Sequence, residues 1–111
     1  MAHDDMHVVM CKVLAYLYDC MKRGEEPSRA AVAHDGDMLS IPYRYWAQVM
    51  AQLAEMGLVK GVSVKWLDNE PQVFMSSPCV TLAGVEFLEE NSMMAKARRF
   101  PREAKSTLPF V

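Results

Sequence analysis

The residues able to do chemistry are few in this chain and poorly grouped. His3 and His7 stand four apart with Asp4 between them, a spacing that can hold a metal on one face of a helix, but no third ligand is placed by the sequence. A frayed, solvated N-terminus is the preferred reading. Asp35-Gly36-Asp37 resembles part of a calcium loop, yet the downstream ligands and the bidentate glutamate are missing, so a plain turn is expected. Ser76 and Ser77 have no neighbouring base, and Glu86, Glu89 and Glu90 fall on the surface of an expected helix, where solvation is the usual role of such groups. The three thiols, Cys11, Cys20 and Cys79, are odd in number, lack CxxC spacing and lie among apolar residues, which argues for core thiols and against a disulfide framework or a zinc site. No catalytic residue, metal site or cofactor emerges, and the expectation is a protein that is not an enzyme.

Elements that position side chains are much clearer. From Asp4 to Arg23, Met6, Val9, Met10, Val13, Leu14, Leu17, Cys20 and Met21 recur at intervals of three and four, one face of a first helix that Gly24 ends. Pro27-Ser28 opens a second helix of about two turns reaching His34, stopped by Asp35-Gly36-Asp37. The third begins near Ser40, a candidate N-cap, with Pro42 in its first turn and Gly57 as its left-handed cap. Tyr45, Val49, Leu53 and Met56 form its inward stripe, flanked by Trp46 and Met50. Tyr43, Arg44, Ala47, Gln48, Ala51, Gln52 and Glu55 form its outer face.

After Gly57 the period switches from 3.6 to 2. Leu58, Lys60, Val62, Val64 and Trp66 share one strand face, with Val59, Gly61, Ser63 and Lys65 on the other. Leu67-Asp68-Asn69-Glu70-Pro71 is a five-residue connection to a short strand from Gln72 to Met75, which Ser76-Ser77-Pro78 ends. Thr81 caps a helix to Asn91 with Leu82, Val85 and Leu88 inward. Ser92 caps a last helix whose stripe, Met93, Ala97, Phe100, Ala104 and Leu108, crosses Pro101, where a kink or break is expected.

The 111 residues suit one domain, and an apolar fraction of 51% with 23% charged residues suits a packed core. The ten methionines sit mostly on inward stripes and read as core filler. No apolar run approaches the roughly 20 residues that span a bilayer, and the first residues lack a signal peptide's features, so a cytoplasmic protein with no membrane partner is expected. The net charge of −2 divides unevenly: residues 92–111 carry +4 and residues 1–91 carry −6. A basic tail permits nucleic-acid contact, but equally docking on its own body or on a second subunit.

Helix, helix, helix, hairpin, helix and tail in this order resemble a winged-helix domain. The resemblance rests on Leu53-x-x-x-Gly57-Leu58-Val59-x-Gly61 and on Thr81-Leu82-x-Gly84-x-x-Phe87-Leu88. Within that superfamily the chain is similar to the YjcQ family of small bacterial and phage-associated proteins, especially through Gly84-Val85-Glu86-Phe87-Leu88-Glu89-Glu90-Asn91-Ser92 and the basic tail. The similarity is best from Pro42 to Ala97, and Pro101 departs from the smoother basic helix of relatives. These motifs specify fold and not activity.

The fold so implied is α+β and mainly α: a winged helix-turn-helix of three helices and a β-hairpin wing in residues 1–91, with one or two C-terminal helices and a basic extension over 92–111. Winged helices commonly place the third helix in the major groove and the wing on the backbone. The resemblance therefore implies a DNA-binding module of transcription-regulator type in which Arg44, Gln48 and Gln52 face base edges while Lys60, Lys65, Arg98, Arg99 and Arg102 approach phosphates. Arg44 against Glu55, and Lys60 and Lys65 against Asp68 and Glu70, leave helix and wing neutral, so a lone copy should bind double-stranded DNA weakly. The alternative is a winged helix used for protein contact, with homodimerisation through Met93, Ala97, Phe100 and Ala104. No small-molecule ligand is implied.

Overall fold

The computed structural model describes the backbone of residues 5–99 and the side chains of residues 5–91. In chain order the elements are α1 (Met6–Arg23), α2 (Tyr43–Glu55), β1 (Val59–Leu67), β2 (Glu70–Val80) and α3 (Leu82–Arg99), an α+β arrangement with one two-stranded antiparallel sheet. Three helices are thus present among the described residues, but two precede the hairpin and one follows it, where three were expected ahead of it.

Helix α1 is built as its periodicity predicts. Val9, Met10, Val13, Leu14, Leu17 and Cys20 are buried, while Met6 and Met21 at its ends stay partly exposed. Val9, Met10, Val13, Leu14 and Leu17 pack with Val32, Leu39, Ile41, Trp46, Val49, Met50, Leu53, Leu58, Val59 and Val80 into one core drawn from every part of the described chain but α3. Helix α3 closes this core from outside through Val85, Phe87 and Leu88, which are half-buried against it.

The expected helix from Ser28 to His34 does not form. The segment is a succession of turns closed by bonds to the third residue back, Ala31 N–H to the Ser28 carbonyl, Ala33 to Ala30 and Gly36 to Ala33. Seven residues cannot recover the cost of a helical nucleus on propensity alone. Here the backbone groups have better partners: the Val32 carbonyl accepts the Trp46 indole N–H at 2.8 Å, the His34 carbonyl accepts Ile41 N–H at 2.8 Å, and Ser28 N–H donates to the Tyr16 hydroxyl at 2.8 Å.

At the start of α2 the cap position belongs to Pro42, not Ser40. Ser40 has φ 48° and turns its hydroxyl back to the Gly36 carbonyl, which makes it part of the Asp35-Gly36-Asp37 bend. The helix buries Trp46, Ala47, Val49, Met50 and Leu53. Ala47, expected outward, is fully buried, and Met56, expected inward, is 46% exposed beyond the helix end. The buried arc is centred on Trp46, Met50 and Leu53 because the turns around Val32 and Ile41 cover that side.

The hairpin is tighter and longer than its sequence suggests. Only Asp68 and Asn69 connect the strands, with φ of 51° and 66°, and Leu67 pairs with Glu70 across them. Two successive positive φ values define the type I′ turn that suits the strand twist, and Asn and Asp tolerate that region. Pro71 and Pro78 both lie inside β2 instead of outside it. Pro71 sits opposite Trp66, a position whose missing N–H faces away from the partner strand, and Pro78 lies in a bulge. Between the Lys60–Cys79 and Val62–Met75 pairs, Gly61 alone faces Ser76, Ser77 and Pro78. Gly61 has φ 78°, and a methyl group there would overlap the Ser76 carbonyl, so the bulge depends on glycine. The bulge shifts the alternation by one residue. Val59 joins Val62 and Val64 on the face toward the helices, while Lys60, expected on that face, turns to solvent.

Thr81 caps α3 as expected, its hydroxyl accepting Gly84 N–H at 3.1 Å and donating to the Gly57 carbonyl at 2.6 Å. The inward face is the expected one in part: Val85 and Leu88 pack on the core, but Leu82 is 75% exposed, and Gly84 is buried against the Leu58 carbonyl and Val80. Close approach at Gly84 fixes the rotation of the helix, which turns Val85, Phe87 and Leu88 toward α1 and leaves Leu82 outside. The helix also runs without interruption through Ser92 to Arg99, so Ser92 does not begin a new one. Pro101 lies outside the described residues.

Candidate nucleic-acid interface

Arg44, Gln48 and Gln52 follow one another at four-residue spacing along α2, opposite its buried arc. Arg44 and Gln48 are exposed and Gln52 is half-buried. With Ala47 buried and Tyr43 and Ala51 half-buried, the outer face is a narrow row ending in the exposed Glu55.

Arg44 is already engaged. Its guanidinium donates to the Asn69 carbonyl at 3.2 Å and to the Glu70 carboxylate at 3.4 Å, and lies 5.9 Å from the centre of the Trp66 ring. The neighbouring Tyr43 hydroxyl donates to the Pro71 carbonyl at 2.8 Å. Two adjacent residues of the first turn of α2 therefore hold the hairpin tip, a link across 25 to 28 positions that no spacing rule announces. The side chains of the Arg44–Glu70 pair are 60% and 65% exposed, so the ion pair itself should contribute less than about 1 kcal/mol. Glu70→Gln is accordingly expected to lower the thermal midpoint by less than about 4–8 °C in a calorimetric scan at moderate salt.

Lys60 and Lys65 are both exposed on the outer face of the hairpin, opposite Cys79 and Gln72, whereas the helices pack on the Val62 and Val64 face. The structure thus joins Arg44 to the hairpin through the tip and leaves the two lysines on the sheet face turned away from α2. Of the tail, Met93, Ala97, Arg98 and Arg99 lie on α3 by their backbone, while their side chains, and Phe100, Arg102 and Ala104, lie outside the described residues.

His7, His34 and Arg29 have structural partners. His7 stacks on Phe87 with ring centres 6.1 Å apart, and His3 lies outside the described residues. His34, passed over in the sequence, packs between Tyr43 and Trp46 with its Nδ1 3.3 Å from the Ile41 carbonyl. Arg29, also passed over, donates to the Met75 carbonyl at 2.8 Å on the outer edge of β2. Glu86, Glu89 and Glu90 are exposed, as a solvated helix face requires. Cys20 is buried, and burial pushes the Cys11 thiol above its ordinary value, which makes it a weak nucleophile at neutral pH. Among the described residues no helix is long and apolar enough to cross a membrane.

The chain is therefore a small α+β domain in which a helix, a hairpin tied to that helix at its tip, and a capping helix follow one another directly. A family model described as YjcQ protein matches residues 11–107, and the chain belongs to the YjcQ family. Neither curated proteins nor solved structures provide a match.

Proposed function

We propose that this is a winged-helix module that contacts double-stranded DNA, with α2 as the recognition helix and the hairpin as the wing. The observation that carries the reading is the row of Arg44, Gln48 and Gln52 on a helix whose opposite face is buried and which passes through Gly57 directly into the hairpin. Arg pairs with guanine and Gln with adenine in the major groove. The turns between Ser28 and Ser40 stand in for the usual second helix, anchored by Val32, Leu39 and the Trp46 indole. Lys60, Lys65 and the basic tail, with Arg98, Arg99 and Arg102, supply phosphate contacts.

Arg44 must exchange its contacts at the hairpin tip for a base edge. The exchange costs little because the pair is exposed. Affinity from one copy should be modest and fall steeply with salt, since phosphate neutralisation dominates binding. A mobility shift on mixed duplex DNA should show a complex at low salt, weakened about tenfold or more by Arg44→Ala with Gln48→Ala, as loss of bidentate base contacts worth about 1–3 kcal/mol each requires. Absence of any complex at micromolar protein and low salt would overturn the proposal.

Protein contact is the second reading, favoured by three large apolar side chains that the hairpin leaves open, Trp66 at 47%, Leu67 at 55% and Phe74 at 50% exposure. Pairing of two copies through Met93, Ala97, Phe100 and Ala104 belongs to this reading and would double the available phosphate contacts. A bacterial or phage setting and a cytoplasmic location fit either.

A further inference from the structure

The two edges of the hairpin are not alike. In a two-residue hairpin the pair that flanks the turn, Leu67 and Glu70, is hydrogen-bonded, and pairs alternate from there. Lys65–Gln72 and Ser63–Phe74 therefore exchange ladder bonds, whereas Trp66–Pro71, Val64–Val73 and Val62–Met75 direct their backbone groups away from each other, out to the two edges. On the β2 edge the pattern is visible directly. The Pro71 carbonyl accepts the Tyr43 hydroxyl, the Met75 carbonyl accepts Arg29, and Pro71 has no N–H to offer. Side chains of the body cover that edge at Pro71 and at Met75.

The β1 edge has no such cover. Among the described residues no group outside the sheet bonds the backbone of Val62, Val64 or Trp66, leaving three N–H and three carbonyl groups in a row about 17 Å long with the spacing of a strand template. Side chains along this edge alternate in kind. Val62, Val64 and Trp66 present apolar surface on the inner side, and Lys60, Ser63 and Lys65 present hydroxyl and ammonium groups on the outer side. The one carboxylate that β2 carries, Glu70, is paired with Arg44.

We propose that the free edge of β1, from Val62 to Trp66, takes up an extended segment of a partner protein in which acidic and apolar side chains alternate. Main-chain bonds to Val62, Val64 and Trp66 provide the register. The apolar side chains of the added strand lie beside Val62, Val64 and Trp66, and its carboxylates lie beside Lys60 and Lys65. Charge selects the partner: like charges opposite each other on a sheet face are unfavourable, so a basic strand is rejected. The inference rests on the protein-contact reading and does not require DNA binding.

The test is fluorescence anisotropy of a dye-labelled, end-capped heptapeptide alternating glutamate and valine, titrated with the whole chain at low salt, beside a matching peptide alternating lysine and valine. Saturable binding of the glutamate peptide, at least tenfold tighter than the lysine peptide, is expected. Val64→Pro removes only an outward N–H, which no bond to β2 uses, so circular dichroism should show an intact fold while glutamate-peptide affinity falls at least tenfold. Lys65→Glu leaves the backbone untouched and should reverse the preference between the peptides. Equal affinity for both peptides, no saturation at about 1 mM, or unchanged binding by Val64→Pro would overturn the edge site; the last would leave contact elsewhere on the hairpin standing. Light scattering at about 100 µM, well above a micromolar Kd, adds a further outcome. A dimer abolished by Val64→Pro would mean that a second copy fills the edge, and the acidic partner would be wrong.

Discussion

Replacing Gly84 with valine should destabilise the domain by at least about 3 kcal/mol, at the upper end of overpacking effects. A Cβ at this position would overlap the Leu58 carbonyl and the Val80 side chain, and the first of these is backbone that cannot rotate away. The Leu58 carbonyl is further fixed because it accepts Thr81 N–H at 3.0 Å. Relief requires α3 to move off the hairpin, which would break the Thr81 hydroxyl bridge to Gly57 and withdraw Val85, Phe87 and Leu88 from α1. Urea unfolding followed by circular dichroism should show a much lower midpoint with Gly84→Val, and an intermediate one with Gly84→Ala. Wild-type stability of both would mean that α3 does not approach Leu58 and β2 this closely.

Trp46→Ala is the second large effect, expected at about 3–5 kcal/mol for removal of a buried indole. Trp46 is 5% exposed, stands beside His34 and Tyr43, and donates its N–H to the Val32 carbonyl. It is the pin that fixes the turns of residues 28–40 to α2. For a domain of this size each kcal/mol lowers the thermal midpoint by about 4–8 °C, so the variant should melt at least about 12 °C early. Trp46→Phe separates the terms: it keeps most of the apolar volume but orphans the Val32 carbonyl, for a loss of about 1–3 kcal/mol. A melt by calorimetry of the three proteins checks the order.

Both effects show where the sequence could be read and where it could not. Helix α1 and helix α2 were legible because their apolar residues repeat at three and four, and Gly57 marked the passage into β1. The type I′ turn was concealed because Asp68-Asn69 lacks a glycine, and Pro71 and Pro78 looked like strand ends. Only the pairing shows that the missing N–H of Pro71 falls on an edge where the ladder does not need it. The segment from Ser28 to His34 looked helical by propensity, but long-range partners for Ser28, Val32 and His34 decided otherwise.

Leu82 failed as a core residue for a related reason. Periodicity gives a helix several possible inward faces, and the close approach at Gly84 selects one of them. At the candidate interface, the residue types on α2 were legible and their arrangement was not. Nothing local to Arg44 indicates that it bonds Asn69 and Glu70, or that the Gly61 bulge sends Lys60 to the outer face.

Amide chemical shifts of the isotopically labelled protein, followed during titration with a mixed-sequence duplex at about 50 mM salt, where phosphate contacts are still strong, test the DNA reading most directly. Shifts are expected on Arg44, Gln48 and Gln52 and on the hairpin around Lys60 and Lys65, with the Asn69 and Glu70 signals moving as Arg44 leaves the tip, and all of them fading as salt is raised. A titration that leaves α2 unmoved, or that moves only residues on α1, would contradict the DNA reading.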